Sequence, residues 1–106
     1  MENTCGTTFV DYFTSFEIQI LEAGWIDNVH LLLSTNIQNS IKNNNFNNIR
    51  SEKALHCCRE EINGCMYSKF TCIISFSKPI SYMEYCFSYS INGYSYLTEP
   101  QCFTVI

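Results

Sequence analysis

The chain has 106 residues, of which 46% are hydrophobic and 15% aromatic. This composition excludes an intrinsically disordered protein and fits one globular domain over residues 1–106. Only 15% of the residues are Asp, Glu, Lys or Arg, against about 25% in a typical soluble domain, so much of the surface is uncharged. The net charge of −4 excludes the basic stripe of a nucleic-acid-binding protein, and no apolar run approaches a bilayer span.

The acidic residues are concentrated in the N-terminal part of the chain. Residues 1–41 carry five carboxylates and no Lys or Arg, whereas residues 42–106 carry six cationic and five acidic side chains. An anionic surface attracts a basic protein and repels nucleic acid and anionic membranes. We therefore expect a basic protein partner, and we expect no direct contact with nucleic acid or with a membrane.

Cysteines are unusually frequent, and seven are spread along the chain: Cys5, Cys57, Cys58, Cys65, Cys72, Cys86 and Cys102. The first residues do not form a basic start followed by an apolar stretch, so we predict a cytoplasmic protein with reduced thiols packed as small apolar side chains. A zinc site that includes His56 is disfavoured, because the neighbouring Cys57 and Cys58 diverge by about 100° on the helix predicted there. We expect no metal and no cofactor.

Two periodicities compete between Thr8 and Gly24. One apolar set falls on a single helical face, between Thr8 as N-cap and Gly24 as the stop: Phe9, Tyr12, Phe13, Phe16 and Ile20. A second set alternates with period two, as in a strand: Val10, Tyr12, Phe16, Ile18 and Ile20. We predict a helix whose outward face carries Asp11 and Glu22, and a strand over residues 8–22 remains the open alternative.

Two further helices are predicted before residue 64. The second helix runs from Asp27 to about Lys42, where apolar residues recur at intervals of three and four. The third runs from Ser51, a favourable capping residue, to about Ile62, and Asn63-Gly64 ends it. The Asn-rich stretch between these two helices is expected to be a connector.

After Gly64 the apolar period changes to two, which predicts strands. One strand covers residues 66–76 and the next residues 83–91, with a turn at Lys78-Pro79 between them. Asn92-Gly93 predicts a type I′ hairpin turn into a strand that Pro100 interrupts. The elements together predict an α+β fold, with about three N-terminal helices packed on a three- to four-stranded antiparallel sheet that is a C-terminal β-meander.

The sequence contains none of the common catalytic motifs. It lacks the G-x-S-x-G, P-loop, G-x-G-x-x-G and H-E-x-x-H patterns. One enzymatic alternative remains, a cysteine paired with His30 or His56, and it requires the two side chains to lie within about 4 Å of each other. We predict that the protein is not an enzyme.

The predicted function is inhibition of another protein by binding. An anionic, aromatic-rich surface is suited to covering the basic site of a nuclease or another toxin, the mode of small acidic immunity proteins. We predict four contact residues: Asp11, Glu17, Glu22 and Asp27. The alternatives are a small phage or viral protein that binds a host factor, a Cys/His-dependent enzyme or ligand-binding domain, and a homo-oligomer formed through an edge strand. Exposed tyrosines in the C-terminal part are suited to anchor a protein partner.

Overall fold

A computed structural model describes residues 9–106, so Cys5 and the predicted cap Thr8 lie outside the described residues. The described part forms nine strands and one short helix. In chain order these are β1 (Phe9–Val10), β2 (Phe13–Leu21), β3 (Ile26–Ser34), α1 (Ile37–Lys42), β4 (Arg50–Lys53), β5 (Leu55–Ile62), β6 (Cys65–Ser75), β7 (Ile80–Ile91), β8 (Tyr94–Leu97) and β9 (Gln101–Val105).

The described strands form two sheets that pack face to face. The larger sheet has the order β1-β9-β7-β3-β4, with β8 also pairing with β7, and the smaller sheet has the order β2-β6-β5. All pairs are antiparallel except β1 with β9. The described residues therefore form a mostly antiparallel β-sandwich of two sheets. A fold alone does not identify a function, so the function depends on the residues of the site.

An aromatic cluster joins the two sheets in the core. The ring of Phe16 on β2 lies 4.8 Å from the ring of Tyr85 on β7 and 5.3 Å from that of Phe103 on β9. Phe103 is fully buried and also contacts the ring of Phe76. Burial of side chains of this size contributes about 1.5–3 kcal/mol each, so this cluster is a principal source of the stability of the sandwich.

The predicted layer of three N-terminal helices is wrong. Residues 13–21, 26–34 and 50–62 are largely strands, and the single helix of the described residues is the six-residue α1. The strand alternative for the first segment is the correct one, since β2 pairs along its whole length with β6. Hydrogen bonds between strands therefore satisfy the backbone N–H and C=O groups that were expected to bond within helices.

A β-bulge accounts for the helix-like apolar spacing in β3, and a second bulge interrupts β5. The register of β3 shifts between Asp27 and His30, so that Ile26 and Val29 both reach the core although they are three residues apart. The register of β5 shifts in the same way between His56 and Cys58. An inserted residue turns the two-residue period of a strand into an interval of three, which is also the spacing of a helical face.

The hairpin predicted at Asn92-Gly93 is confirmed. Both residues have positive φ, 51° and 84°, as a type I′ turn requires, and the pairing of β7 with β8 starts directly at this turn. Asn63-Gly64, which was predicted to end a helix, forms an equivalent turn between β5 and β6, with φ values of 51° and 82°. Pro100 separates β8 from β9, as its position in the sequence indicated.

The helix α1 covers part of the outer face of the larger sheet. Its Ile37 is fully buried, and the backbone N–H of Gln38 donates to Oε1 of Glu84 at 3.0 Å. The hydroxyl of Tyr82 donates to the other oxygen of Glu84. This contact raises the pKa of Tyr82. Glu84 is 3% exposed, and these donors compensate for its burial on the sheet.

The cysteines differ from one another in environment. Cys72 and Cys86 are buried as predicted, and burial raises the pKa of Cys86 to about 11. Cys57 and Cys65 are exposed, and Cys102 is disulfide-bonded. The prediction of uniformly reduced thiols that pack as apolar side chains is therefore wrong.

Among residues 9–106, no helix has both the length and the apolar character that a membrane crossing requires.

Candidate functional site

Two of the four predicted contact carboxylates are already paired with cations. Glu17 on β2 lies 3.3 Å from the ammonium of Lys69 on β6. Glu22 accepts two hydrogen bonds from Arg59, at 2.8 and 2.9 Å, and one from the hydroxyl of Ser68 at 2.8 Å. The Arg59 and Ser68 hydrogen bonds lower the pKa of Glu22. The smaller sheet therefore compensates much of the negative charge that these residues were expected to present.

The other two carboxylates lie on different elements. Asp27 is on β3 in the larger sheet, where one of its oxygens accepts the backbone N–H of Asn28 at 2.8 Å. Asp11 is exposed between β1 and β2. The structure thus distributes Asp11, Glu17, Glu22 and Asp27 over strands and loops of both sheets, and the helical face on which Asp11 and Glu22 were expected is absent from the described residues.

The strand β8 presents an open edge. It pairs with β7 on one side, no described strand pairs with its other side, and all four of its residues are exposed. Tyr94, Tyr96 and Leu97 are among its exposed residues, and Tyr94 is 72% exposed. Open edges are templates for the addition of another strand, and β8 carries neither Lys nor Pro to oppose such pairing.

The register shows which backbone groups of β8 are available at this edge. The N–H of Thr98 donates to the carbonyl of Phe87 at 2.9 Å, which makes residues 87 and 98 a hydrogen-bonded pair. Hydrogen-bonded and non-hydrogen-bonded pairs alternate along an antiparallel ladder. Ser95 and Leu97, which pair with Ser90 and Ser88, are therefore in non-hydrogen-bonded positions. Their N–H and C=O groups point away from β7, toward the open edge.

A close backbone contact fixes the exposed Trp25 beside the turn that begins β8. The N–H of Trp25 donates to Oδ1 of Asn92 at 2.9 Å, and the N–H of Asn92 donates to the carbonyl of Trp25 at 2.9 Å. A Cβ atom at Gly24 would lie 2.3 Å from the amide nitrogen of Asn92, so any other residue at this position would require the Asn92 side chain to move. Trp25 is 75% exposed and lies at the same end of the sheet as Tyr94.

A groove of about 400 Å³ runs along the same strands. It is lined by Asn28, His30, Ser88, Tyr89, Ser90, Ser95, Tyr96 and Leu97. The rings of Tyr89 and Tyr96 are stacked at 5.5 Å between centroids. The lining contains hydroxyl, amide, imidazole and apolar groups but no Asp, Glu, Lys or Arg. We call the open edge of β8, this groove and Trp25 the β8 surface; it suits an uncharged, partly apolar ligand.

The two histidines have other partners than the thiol that the enzymatic alternative requires. Nδ1 of His30 lies 3.1 Å from the backbone carbonyl of Asn28, and the ring of His56 contacts that of Phe70. In the described part of the chain, no three His, Cys, Asp or Glu side chains are placed to hold a metal ion.

Comparison with known proteins gives no relative. No protein-family model, no curated protein and no solved structure matches the chain. Any function of the site must therefore be inferred from its geometry alone. The sequence did contain signals for the β8 surface, namely Asn92-Gly93 and the tyrosines that follow it. Gly24 was predicted only as a helix stop, and no prediction was made for Trp25.

Proposed function

We propose that the protein is a non-catalytic protein-binding domain that accepts an extended segment of its partner along the open edge of β8. The observation that carries the proposal is that Ser95 and Leu97 direct backbone donors and acceptors toward an unpaired, fully exposed edge. Strand addition of this kind uses backbone hydrogen bonds for affinity and side-chain pockets for specificity.

Exposed aromatic residues support a protein partner. Trp25, Tyr94 and Tyr96 are exposed by 75%, 72% and 46%, and tryptophan and tyrosine are enriched among the residues that dominate binding energy at protein interfaces. The stacking of Tyr96 on Tyr89 orders its ring before binding, which lowers the entropic cost of association. The proposal keeps the class predicted from the sequence, action by binding another protein, and assigns it to a different surface.

The neutral lining supports a specific kind of segment. An added strand places alternate side chains on the two faces of the sheet, so every second residue of the partner would lie over Leu97 and the serine-lined groove. Because the groove has no carboxylate, ammonium or guanidinium group, a charged residue there would lose hydration without gaining an ion pair. We therefore propose a segment with small or apolar residues at alternate positions.

Inhibition of a basic toxin or host factor through Asp11, Glu17, Glu22 and Asp27 is the second proposal. It is supported by the excess of carboxylates in residues 1–41. It is the weaker proposal because Lys69 and Arg59 already pair with two of the four carboxylates, and exposed ion pairs leave little net charge to attract a partner.

The test is selection of peptides from a display library of random dodecapeptides against the full chain, followed by calorimetric affinity measurement. For a selected peptide we expect Ser95→Pro to weaken binding about tenfold or more, because it removes an edge N–H, and tenfold corresponds to about 1.4 kcal/mol. Proline is tolerated where the strand N–H faces solvent, so the pairing of β8 with β7 should persist.

Ser95→Ala is the matched control, since it removes the hydroxyl but keeps the N–H, and we expect less than a twofold change. The charge reversals Asp11→Lys and Asp27→Lys test the second proposal in the same assay. Selected peptides that bind Ser95→Pro as tightly as the wild type would overturn strand addition. Basic peptides that lose affinity only in the charge-reversed variants would favour the acidic surface instead.

A further inference from the structure

The bulge in β5 places two cysteines on one side of the strand. His56 pairs with Phe70 and Cys58 pairs with Lys69, which leaves Cys57 as the inserted residue. In a regular strand, neighbouring side chains point to opposite faces. In a bulge, two residues oppose one residue of the partner strand, and the alternation is interrupted. Cys57 and Cys58 therefore stand together opposite Lys69.

Cys57 and Cys58 are free thiols whose side chains interact. The Cys57 side chain raises the pKa of Cys58, and the sulfur of Cys58 lies 3.7 Å from Oε1 of Glu60. Neither cysteine is in a disulfide, Cys57 is exposed and Cys58 is half-buried. β5 is an edge strand of the smaller sheet, so no described strand covers it on the side away from β6.

The geometry disfavours a direct bond between these sulfurs. Adjacent Cα atoms are about 3.8 Å apart, which is shorter than the roughly 4.4–6.8 Å that separates the Cα atoms of most disulfides. An atom inserted between the sulfurs relieves this constraint. Zinc is a poor candidate because structural zinc takes four protein ligands, and the described residues offer no group of three suitable side chains. Soft ions that accept two thiolates remain.

We propose that Cys57 and Cys58 form a dithiol site that binds one thiophilic ion, of the class of copper(I) or trivalent arsenic, through both sulfurs. With an arsenoxide, two S–H bonds break, two As–S bonds form, and the arsenic-bound oxygen leaves as water with both protons. With copper(I), two protons pass to solvent and two S–Cu bonds form. Neither step transfers electrons, so no oxidant or reductant is required.

The experiment uses the purified full chain without added reductant, with phenylarsine oxide and copper(I) as separate probes. We expect one phenylarsine adduct per chain by intact mass, and the loss of two alkylatable thiols, which peptide mapping assigns to Cys57 and Cys58. A second tethered donor raises affinity by roughly 10²–10⁴-fold. We therefore expect Cys57→Ser and Cys58→Ser each to weaken binding by at least about 100-fold. Copper(I) binding, measured by competition with a colorimetric chelator, shows whether the site takes a metal ion as well as a metalloid.

Cys65→Ser is the matched control, because Cys65 is also exposed on the smaller sheet and carries a free thiol. We expect it to bind both probes like the wild type. Thermal unfolding curves of all three variants should match that of the wild type, which separates loss of ligands from loss of fold. The proposal is overturned if the single variants at residues 57 and 58 retain wild-type affinity for phenylarsine oxide, or if the adduct maps to other cysteines.

Discussion

The smaller sheet and the β8 surface of the larger sheet expose different chemical groups. The smaller sheet carries charges that pair with each other, in the Glu17–Lys69 and Glu22–Arg59 contacts. The larger sheet exposes the neutral β8 surface, whose arrangement depends on packed rings and on backbone contacts at Asn92. Charged side chains that neutralise one another keep a surface hydrated and give little binding energy. Exposed aromatic residues beside an unpaired edge favour association.

Different forces maintain the two regions. Packing and close backbone contacts are insensitive to salt, whereas exposed ion pairs are screened within about 8–10 Å at ordinary ionic strength. Substitutions in the core or at the turn should therefore have effects that salt does not change. Substitutions in the ion pairs should have effects that depend on pH and salt.

The largest effect is expected for Phe103→Ala, which tests the packing side of the comparison. Phe103 is fully buried and contacts the rings of Phe16, Phe76 and Tyr85. Truncation of a buried phenylalanine costs about 3–5 kcal/mol, because the transfer free energy is lost and a cavity remains. The free energy of unfolding from urea titration should fall by this amount, equally at about 0.05 and 0.5 M NaCl.

Phe13→Ala is the control for this substitution. Phe13 is 69% exposed on β2, and surface substitutions of this kind usually change stability by about 0.5 kcal/mol or less. An equal loss of stability in the two variants would show that the aromatic cluster does not hold the sheets together.

An intermediate effect is expected for Gly24→Ala, which tests the turn that positions Trp25. The new Cβ would lie within 3 Å of all three heavy atoms of the Asn92 amide, so the amide must move and its hydrogen bond to Trp25 must break. Overpacking of this kind costs about 1–3 kcal/mol. Thermal unfolding should show this loss of stability. The fluorescence of Trp25, the single tryptophan, should also change.

The double variant Gly24→Ala with Asn92→Gly is the control for steric contact. Glycine at position 92 removes the amide and accepts the φ of 51° found there. We expect the double variant to be more stable than the sum of the two single effects predicts, by about 0.5 kcal/mol or more. Simple additivity would show that the two residues do not contact each other.

The sequence predicted the structure correctly where local chemistry determines it. The prediction was wrong where an inserted residue changed the two-residue spacing of apolar side chains in a strand. Asn92-Gly93 and Pro100 act within a few residues, so the hairpin and the interruption of the last strand were predictable. The bulge between Asp27 and His30 mimics helical spacing, and only the long-range pairing of β3 with β7 distinguishes a strand from a helix there. Asn63-Gly64 is the same hairpin-favouring dipeptide as Asn92-Gly93, but it was predicted to end a helix because a helix was predicted before it.

The candidate site was less predictable than the fold. Charge counts identified Glu17 and Glu22, but the sequence does not show that Lys69 and Arg59, about 40 to 50 residues away in the chain, become their partners. The open edge of β8 follows from the sheet order, which is a property of the whole chain. Residue types therefore predicted contact carboxylates and tyrosines suited to a protein partner, whereas topology determines which backbone groups are left unpaired.

The smallest effect is expected for Glu22→Gln, which tests the electrostatic side of the comparison. The hydrogen bonds from Arg59 and Ser68 lower the pKa of Glu22 in the folded state. Its contribution to stability is therefore complete above the pKa of the unfolded chain, about 4.3, and is lost as the pH falls through the lower folded value. We expect the wild type to be more stable than the variant at pH 6, by a margin that shrinks on acidification below about pH 4.5 and with added salt. Glu61→Gln, at an exposed carboxylate on β5, should show no such margin, and a margin for Glu22→Gln that stays constant down to pH 2 would contradict the ion-pair account.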